Sequence, residues 1–143
     1  MGDPATVRRQ YIEAALPQPA IDAGQPLDMV HFAKQTLGDW SLGIEVLRLF
    51  NEMQRTYFDR LETSTNRNDL LVNLHALKGA AAGVGAFALA QLARTAEDEL
   101  KAGEPVNPER IADIEMAVEE VSTFIGMLLE NEPDEPAGDE AAA

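Results

Sequence analysis

Cysteine is absent from this sequence of 143 residues, which excludes disulfide bonds, thiolate zinc ligands and a cysteine nucleophile together. Basic residues are scarce, because 11 lysines and arginines stand against 25 aspartates and glutamates, and the formal net charge is −14. A field of this sign repels nucleic-acid phosphates and anionic lipids. We therefore expect neither nucleic acid nor a membrane surface as a partner.

Long apolar runs are also missing. No stretch reaches the roughly 18 apolar residues that a membrane-spanning helix needs. Residues 1–16 lack the apolar centre and the small-residue cleavage site of a signal peptide. These two absences predict a cytoplasmic protein. Hydrophobic residues nevertheless make up 45% of the chain, which is enough to form one core in a chain of this length.

No segment alternates polar and apolar residues over the length of a strand, so the sequence predicts no sheet. It predicts a short helix over 28–36 and longer helices over about 39–64, 66–82, 84–101 and 107–130. The N-cap candidates are Asp39 for the 39–64 helix, either Asn66 or Asn68 for the 66–82 helix, and Asn107 for the 107–130 helix. Apolar residues of the 39–64 helix recur at helical spacing: Leu42, Val46, Leu49, Phe50, Met53, Tyr57 and Leu61. The predicted fold is all-α, an antiparallel up-down four-helix bundle with an additional short N-terminal helix.

The predicted bundle occupies residues 27–131 and is flanked by two extensions. Residues 1–26 are expected to be partly flexible or to form a short helix, because prolines and Gly24 interrupt their second half. Residues 132–143 are rich in proline, glycine and acidic residues, and the sequence predicts a disordered acidic tail there.

The helix over 66–82 carries the most informative residues. One stripe of it is apolar and is predicted to face the core: Leu70, Leu74, Leu77 and Ala81. His75 lies about 130° from the centre of that stripe, since each residue advances the helix by about 100°. Lys78 and Gly79 lie one turn from His75 on the same side, and Ala82 continues that side.

This exposed side has chemical meaning. An exposed imidazole is partly neutral at pH 7, so that one ring nitrogen can act as a nucleophile. Lys78 can neutralise charge on phosphoryl oxygens, and the missing side chain of Gly79 leaves room for another protein. The sequence contains neither a G-x-x-x-x-G-K-[ST] loop nor the motif set of a protein kinase. A phosphoryl group on His75 would therefore come from a partner.

The segment HALKG at residues 75–79, followed by Gly85, Leu89, Leu92 and Glu97, resembles the signature of histidine phosphotransfer domains. The resemblance extends over residues 28–130. It implies that His75 is the phosphoacceptor, reacting through its outer ring nitrogen, and that Lys78 stabilises the phosphoryl group. The residues expected to contact a docked receiver domain are Gly79, Ala82, Leu71 and Phe87.

The sequence departs from the family pattern at Gly83 and Phe87, where polar residues are more usual, and leaves open how the helix end near Gly83 is held.

The resemblance also implies a pathway for the phosphoryl group. An aspartate in the receiver domain of a hybrid histidine kinase would donate it to His75, and an aspartate of a response regulator would accept it from His75. The chain would then be a phosphocarrier and not an enzyme. It would need no cofactor of its own, and the Mg²⁺ would be held by the receiver domain. We expect a monomer, because the one special exposed face is already assigned to these partners.

The remaining polar candidates have simpler interpretations. His31 lies among apolar residues in the sequence and is predicted to be structural. Two histidines far apart, without clustered carboxylates, predict no metal site. The acidic residues Glu97, Asp98 and Glu99 are interpreted as solvated surface.

Two other functions fit the same residues. The chain could be a helical adaptor that binds receiver domains without being phosphorylated, and its partner binding would then not depend on His75. It also has some similarity, in the segment AEDELKAG at residues 96–103, to the phosphoacceptor module of chemotaxis-type kinases. A separate kinase would have to phosphorylate such a module.

Overall fold

The computed structural model describes residues 4, 6–8 and 24–130. Five helices follow one another in residues 24–130: α1 (Met29–Gln35), α2 (Trp40–Thr63), α3 (Arg67–Val84), α4 (Phe87–Lys101) and α5 (Pro108–Glu130). The described residues contain no strand, and the predicted all-α fold is confirmed. Most of the predicted N-terminal extension lies outside the described residues, because residues 9–23 are not among them. The predicted tail over 132–143 lies wholly outside them as well.

The four long helices form a closed bundle. Both α3 and α5 pack against α2 and α4, while the short α1 packs across α2 and α3. Short connections reverse the chain between consecutive long helices, which makes the bundle antiparallel. Each long helix contributes fully buried side chains to one core, for example Leu47, Leu74, Leu89 and Ile125. None of the helices in the described part of the chain is both long enough and apolar enough to cross a bilayer.

Side-chain caps decide where most of these helices begin. Asp39 accepts a hydrogen bond from the Leu42 amide at 3.1 Å, and Asn66 accepts one from the Asp69 amide at 2.8 Å. Asn107 does the same for the Glu109 amide at 2.9 Å, with Pro108 as the first helical residue. The predicted starts of α2, α3 and α5 are therefore confirmed, because each depends on a local contact between a polar side chain and a free amide.

The start of α4 was predicted near residue 84, and this is wrong because the chain turns there. Gly85 ends α3 in the left-handed conformation with φ of 93°, and the Ala86 amide donates to the Ala81 carbonyl at 2.8 Å. This Gly-capped helix end stops α3 at Val84 and lets α4 begin at Phe87.

The short helix α1 holds this turn in place. The Asp28 amide donates to the Gly85 carbonyl at 2.9 Å, and the His31 Nε2–H donates to the Gly83 carbonyl at 3.2 Å. These two bonds satisfy carbonyls at the end of α3 that no later turn of the helix can satisfy. They explain how the helix end at Gly83 is fixed without the polar residue that is usual there.

Replacing Gly85 with alanine is expected to separate α1 from the turn. A Cβ at Gly85 would lie 3.0 Å from the Asp28 carbonyl oxygen and 3.3 Å from His31 Cδ2. Gly103 is a matched control, since its φ is 90° and a Cβ there would meet nothing within 4 Å. Both changes carry the left-handed cost of about 1–2 kcal/mol. We expect Gly85→Ala to lower the free energy of unfolding in urea by about 1–3 kcal/mol more than Gly103→Ala. Equal losses in the two variants would contradict this.

Candidate functional site

His75 lies in the middle of α3 and points away from the core. Its side chain is 68% exposed, whereas Leu74 and Leu77 on the adjoining stripe are 1% and 0% exposed. The predicted separation of the histidine from the core-facing stripe is therefore observed. It follows from helical geometry, because a residue that follows Leu74 by one position is rotated by about 100° around the axis.

Glu97 on α4 binds the inner nitrogen of this ring. Its Oε2 lies 2.9 Å from His75 Nδ1, and its Oε1 lies 2.8 Å from Lys78 Nζ. Lys101, one turn further along α4, places its Nζ 3.2 Å from the same Oε2. The Glu97 side chain is only 2% exposed. The interpretation of Glu97 as solvated surface is wrong, because α3 covers this carboxylate and three nitrogen donors surround it.

The neighbouring acidic residues differ from Glu97. Asp98 is exposed, in keeping with the prediction. Glu99 is partly buried and binds the Arg110 guanidinium through both oxygens, with an Nε–Oε1 distance of 3.1 Å and an Nη2–Oε2 distance of 2.8 Å. The bidentate Arg110 pair joins α4 to α5, so Glu99 holds helices together and is not simply a solvated residue.

The contact with Glu97 determines which nitrogen of His75 can react. A carboxylate only accepts hydrogen bonds, so Nδ1 carries the proton in the bonded ring. In the neutral ring, Nε2 then has a free lone pair, and it has no hydrogen-bond partner among the described residues. The arrangement offers a fixed, outward-facing nucleophile whose orientation is set by a buried anion.

The charge of Glu97 is maintained against its burial. Burial alone would raise the pKa of this carboxyl, but hydrogen bonds from Lys78, Lys101 and His75 outweigh that effect and lower the pKa from 4.5 to about 2. Glu97 is therefore an anion at any physiological pH, and the ring of His75 always faces a full negative charge.

This lowered pKa predicts how stability depends on pH. Since the pKa of Glu97 is lower in the folded chain than its ordinary value of 4.5, its ion pairs contribute fully above pH 4.5 and are lost as the pH falls towards 2. At pH 7 the contribution is at most about 3 kcal/mol. We expect the difference in free energy of unfolding between the wild-type chain and Glu97→Gln to shrink from pH 7 to pH 3 in urea titrations. A difference independent of pH would contradict the assignment.

An open groove between α3 and α4 begins one turn from His75. Its lining combines small, aromatic and charged side chains: Lys78, Gly79, Ala82, Phe87, Ala90, Gln91, Arg94 and Asp98. A Cβ added to Gly79 would meet nothing within 4 Å, so this stretch of α3 is open to an approaching surface. Leu71 lies outside the groove and packs half-buried against the core, and its expected contact with a receiver stays a prediction.

The groove is lined at its end near the α3–α4 turn by Phe87, whose ring packs against that of His31. The two rings meet edge to face, with their centroids 5.0 Å apart and their planes at 69°. His31 also donates to the Gly83 carbonyl, so that α1, the α3–α4 turn and the groove form one packed unit. His31 therefore has the structural surroundings that the sequence predicts for it.

The candidate docking residues come together only in part. Lys78, Gly79, Ala82 and Phe87 line one groove, while sequence reasoning missed the buried contacts of Glu97 and Lys101. Glu97 follows His75 by 22 positions, and only its place in the family pattern pointed to it. Nothing in the local sequence distinguished Lys101 from an ordinary surface lysine.

In the described part of the chain, no group of three or more histidine, aspartate or glutamate side chains is arranged to hold a metal ion.

Comparison with known protein families matches residues 45–124 to the model of the Hpt domain. The matched region is more than half of the chain and includes His75, Lys78, Glu97 and Lys101. Comparisons with curated proteins and with solved structures gave no match. The family assignment therefore comes from the family model, and the geometry of the site comes from this structure.

Proposed function

The chain belongs to the Hpt domain family, and from this premise we propose that it carries phosphoryl groups on His75 between receiver domains. Membership of the family indicates phosphotransfer in two-component signalling. The single observation that supports His75 as the carrier is the bond from its Nδ1 to the buried Glu97, at 2.9 Å, which in the neutral ring leaves the lone pair of Nε2 free on an exposed side chain. The partners would be receiver domains of hybrid histidine kinases and of response regulators.

The transfer step follows from this tautomer. The lone pair of His75 Nε2 forms the new bond to phosphorus, while the bond from phosphorus to the receiver's aspartyl oxygen breaks and its electron pair returns to the carboxylate. No proton has to leave Nε2, because the proton is on Nδ1. The phosphorylated ring gains positive charge, and Glu97 stabilises it by accepting the Nδ1–H bond. Transfer to a second receiver is the reverse of this step.

Lys78 would stabilise the phosphoryl group after a small movement of its side chain. In the unphosphorylated chain its ammonium binds Glu97 Oε1, and its side chain is 28% exposed. The flexible stem of lysine allows the ammonium to turn from this oxygen to phosphoryl oxygens on the outer side of the ring. The dianionic phosphoryl group would attract it more strongly than a carboxylate that Lys101 already neutralises in part.

The groove along α3 and α4 is the proposed docking surface. Its open small-residue centre at Gly79 and Ala82 would let a receiver's helix approach, and Phe87 at its end would supply an apolar contact. The Mg²⁺ needed to balance charge on the phosphoryl group would be held by the receiver. The chain itself would supply the nucleophile, Lys78 and the docking surface.

The proposal is tested by incubating the chain with purified receiver domains that carry a radiolabelled phosphoryl group. We expect at least one receiver to lose its label to the chain, with the label becoming acid-labile and base-stable, as expected of a phosphohistidine. Binding of receivers without any transfer, across all the receivers of the source organism, would contradict the proposal and favour a non-phosphorylated adaptor.

Gly79→Leu is expected to separate docking from the chemistry of the histidine. Leucine is a good helix former, and at this open position we expect it to raise the free energy of unfolding by about 0.5–1 kcal/mol. In the groove it would block a receiver, so transfer from a phosphorylated receiver should fall at least about tenfold, a loss of about 1.4 kcal/mol or more. Labelling by a small phosphoryl donor, phosphoramidate, should persist.

Gly83→Leu is the matched control for this change. Gly83 is also exposed on α3, a Cβ there meets nothing within 4 Å, and the residue does not line the groove. The control should gain similar stability and keep its rate of transfer from the receiver. Equal transfer rates in the two variants would argue against the groove as the docking surface.

A further inference from the structure

Lys101 shares one oxygen of Glu97 with the reactive histidine. Its Nζ lies 3.2 Å from Oε2, and His75 Nδ1 lies 2.9 Å from the same atom. Lys78 binds the other oxygen, Oε1, at 2.8 Å. The two lysines are thus not equivalent, because only Lys101 competes with the imidazole for the oxygen that the ring proton faces.

The two lysines also differ in what phosphorylation would do to them. Lys78 lies one turn from His75 on the same helix, so its ammonium can turn towards a phosphoryl group on Nε2 and bind it. Lys101 lies on α4, one turn beyond Glu97, and its side chain is 59% exposed. When Lys78 turns to the phosphoryl oxygens, Lys101 is the lysine that stays on the buried carboxylate.

We propose that Lys101 is a positioning residue that acts through Glu97 to prolong the lifetime of phosphohistidine at His75. The proposal depends on the function proposed above and adds to it a residue that controls how long the phosphoryl group is kept. Lys101 offsets the charge of Glu97 and occupies part of Oε2, and so limits how tightly this carboxylate holds the proton on Nδ1.

The proton on Nδ1 affects how fast phosphohistidine is hydrolysed. Water attacks phosphorus and forms a new oxygen–phosphorus bond, while the nitrogen–phosphorus bond breaks and its electron pair goes to Nε2. The water proton goes to solvent, and inorganic phosphate leaves. If Nδ1 carries its proton, the leaving group is neutral imidazole. If it does not, the leaving group is imidazolate, a far poorer one. A tighter hold on the Nδ1 proton therefore shortens the lifetime of the phosphorylated chain.

The test uses the full chain, labelled with phosphoramidate and then freed of donor. We expect the phosphohistidine of Lys101→Met to hydrolyse about threefold to tenfold faster than that of the wild-type chain, the size expected for removing one partly exposed charge. Lys101→Arg should restore the wild-type lifetime. Lys34→Met removes the same side chain from an exposed position on α1 and should leave the lifetime unchanged.

A second measurement distinguishes this role from a general loss of structure. Nitrogen-15 NMR of the phosphorylated ring should show a larger protonated fraction of Nδ1 in Lys101→Met than in the wild-type chain at the same pH. Equal lifetimes of Lys101→Met and Lys34→Met, with His75 labelled normally, would overturn this inference alone. Absence of an acid-labile label from the wild-type chain would overturn the proposed function and this inference with it.

Discussion

Replacing His75 with glutamine is expected to abolish phosphorylation of the chain, lowering the rate of labelling at least about a thousandfold. The amide nitrogen of glutamine has no free lone pair to attack phosphorus, whereas Nε2 of His75 does. The side chain is 68% exposed, and Lys78 and Lys101 still bind the buried Glu97 when the ring is replaced, so the fold should be unchanged. The measurement is the amount of acid-labile label after incubation with phosphoramidate and, separately, with phosphorylated receivers.

His31→Gln is the control for this change, because His31 is the other histidine of the chain. Glutamine can still donate a hydrogen bond to the Gly83 carbonyl, which His31 does at 3.2 Å. The control should accept label from phosphoramidate at the wild-type rate. Persistent label in His75→Gln, with the acid and base stability of a phosphohistidine, would reject His75 as the acceptor.

Replacing Glu97 with glutamine is expected to slow labelling of His75 by about tenfold to a hundredfold, the effect typical of removing the hydrogen-bond partner that orients a metal-ligating histidine. The neutral amide cannot stabilise the positive charge that the ring gains, and its NH₂ group can face Nδ1 and favour the wrong tautomer. Lys78 and Lys101 would also lose their shared counter-ion, but both are partly exposed and can be hydrated.

This effect should be specific to the buried carboxylate. Glu115→Gln is the matched control, since Glu115 is exposed on α5 and the change removes the same charge from the chain. The control should label like the wild-type chain. NMR of the unphosphorylated ring provides the mechanistic readout, because Glu97→Gln should lower the population of the Nδ1–H tautomer. An unchanged tautomer with an unchanged rate would show that the contact with Glu97 does not prepare His75 for attack.

Most helix starts and the exposure of His75 were predicted well from the sequence, because both depend on residues that are close together in the chain. The starts of α2, α3 and α5 follow from Asp39, Asn66 and Asn107, whose side chains bind amides two or three positions away. The exposure of His75 follows from its rotation around α3. In each case the helical repeat or a cap decides the outcome, and both act over fewer than two turns of chain.

The apolar pattern of α2 shows where this kind of prediction stops. Its apolar residues extend around more than one side, and Leu42 and Leu49 turn out to be 42% and 58% exposed. The residues of α2 that are buried are Gly43, Leu47, Phe50, Gln54, Phe58 and Leu61. Periodicity identifies the helix, but the positions of α3 and α5 decide which of its sides is covered.

The sequence by itself determined the helices, the side of α3 on which His75 and Lys78 lie, and the motif typical of a phosphoacceptor. Only the tertiary structure decided how that histidine is prepared to react. Glu97 reaches Nδ1 because α4 packs antiparallel against α3, and Lys101 reaches the same carboxylate from the next turn of α4. The physical reason is that a hydrogen bond requires contact at about 3 Å, and chain positions 22 residues apart come that close only when two helices pack.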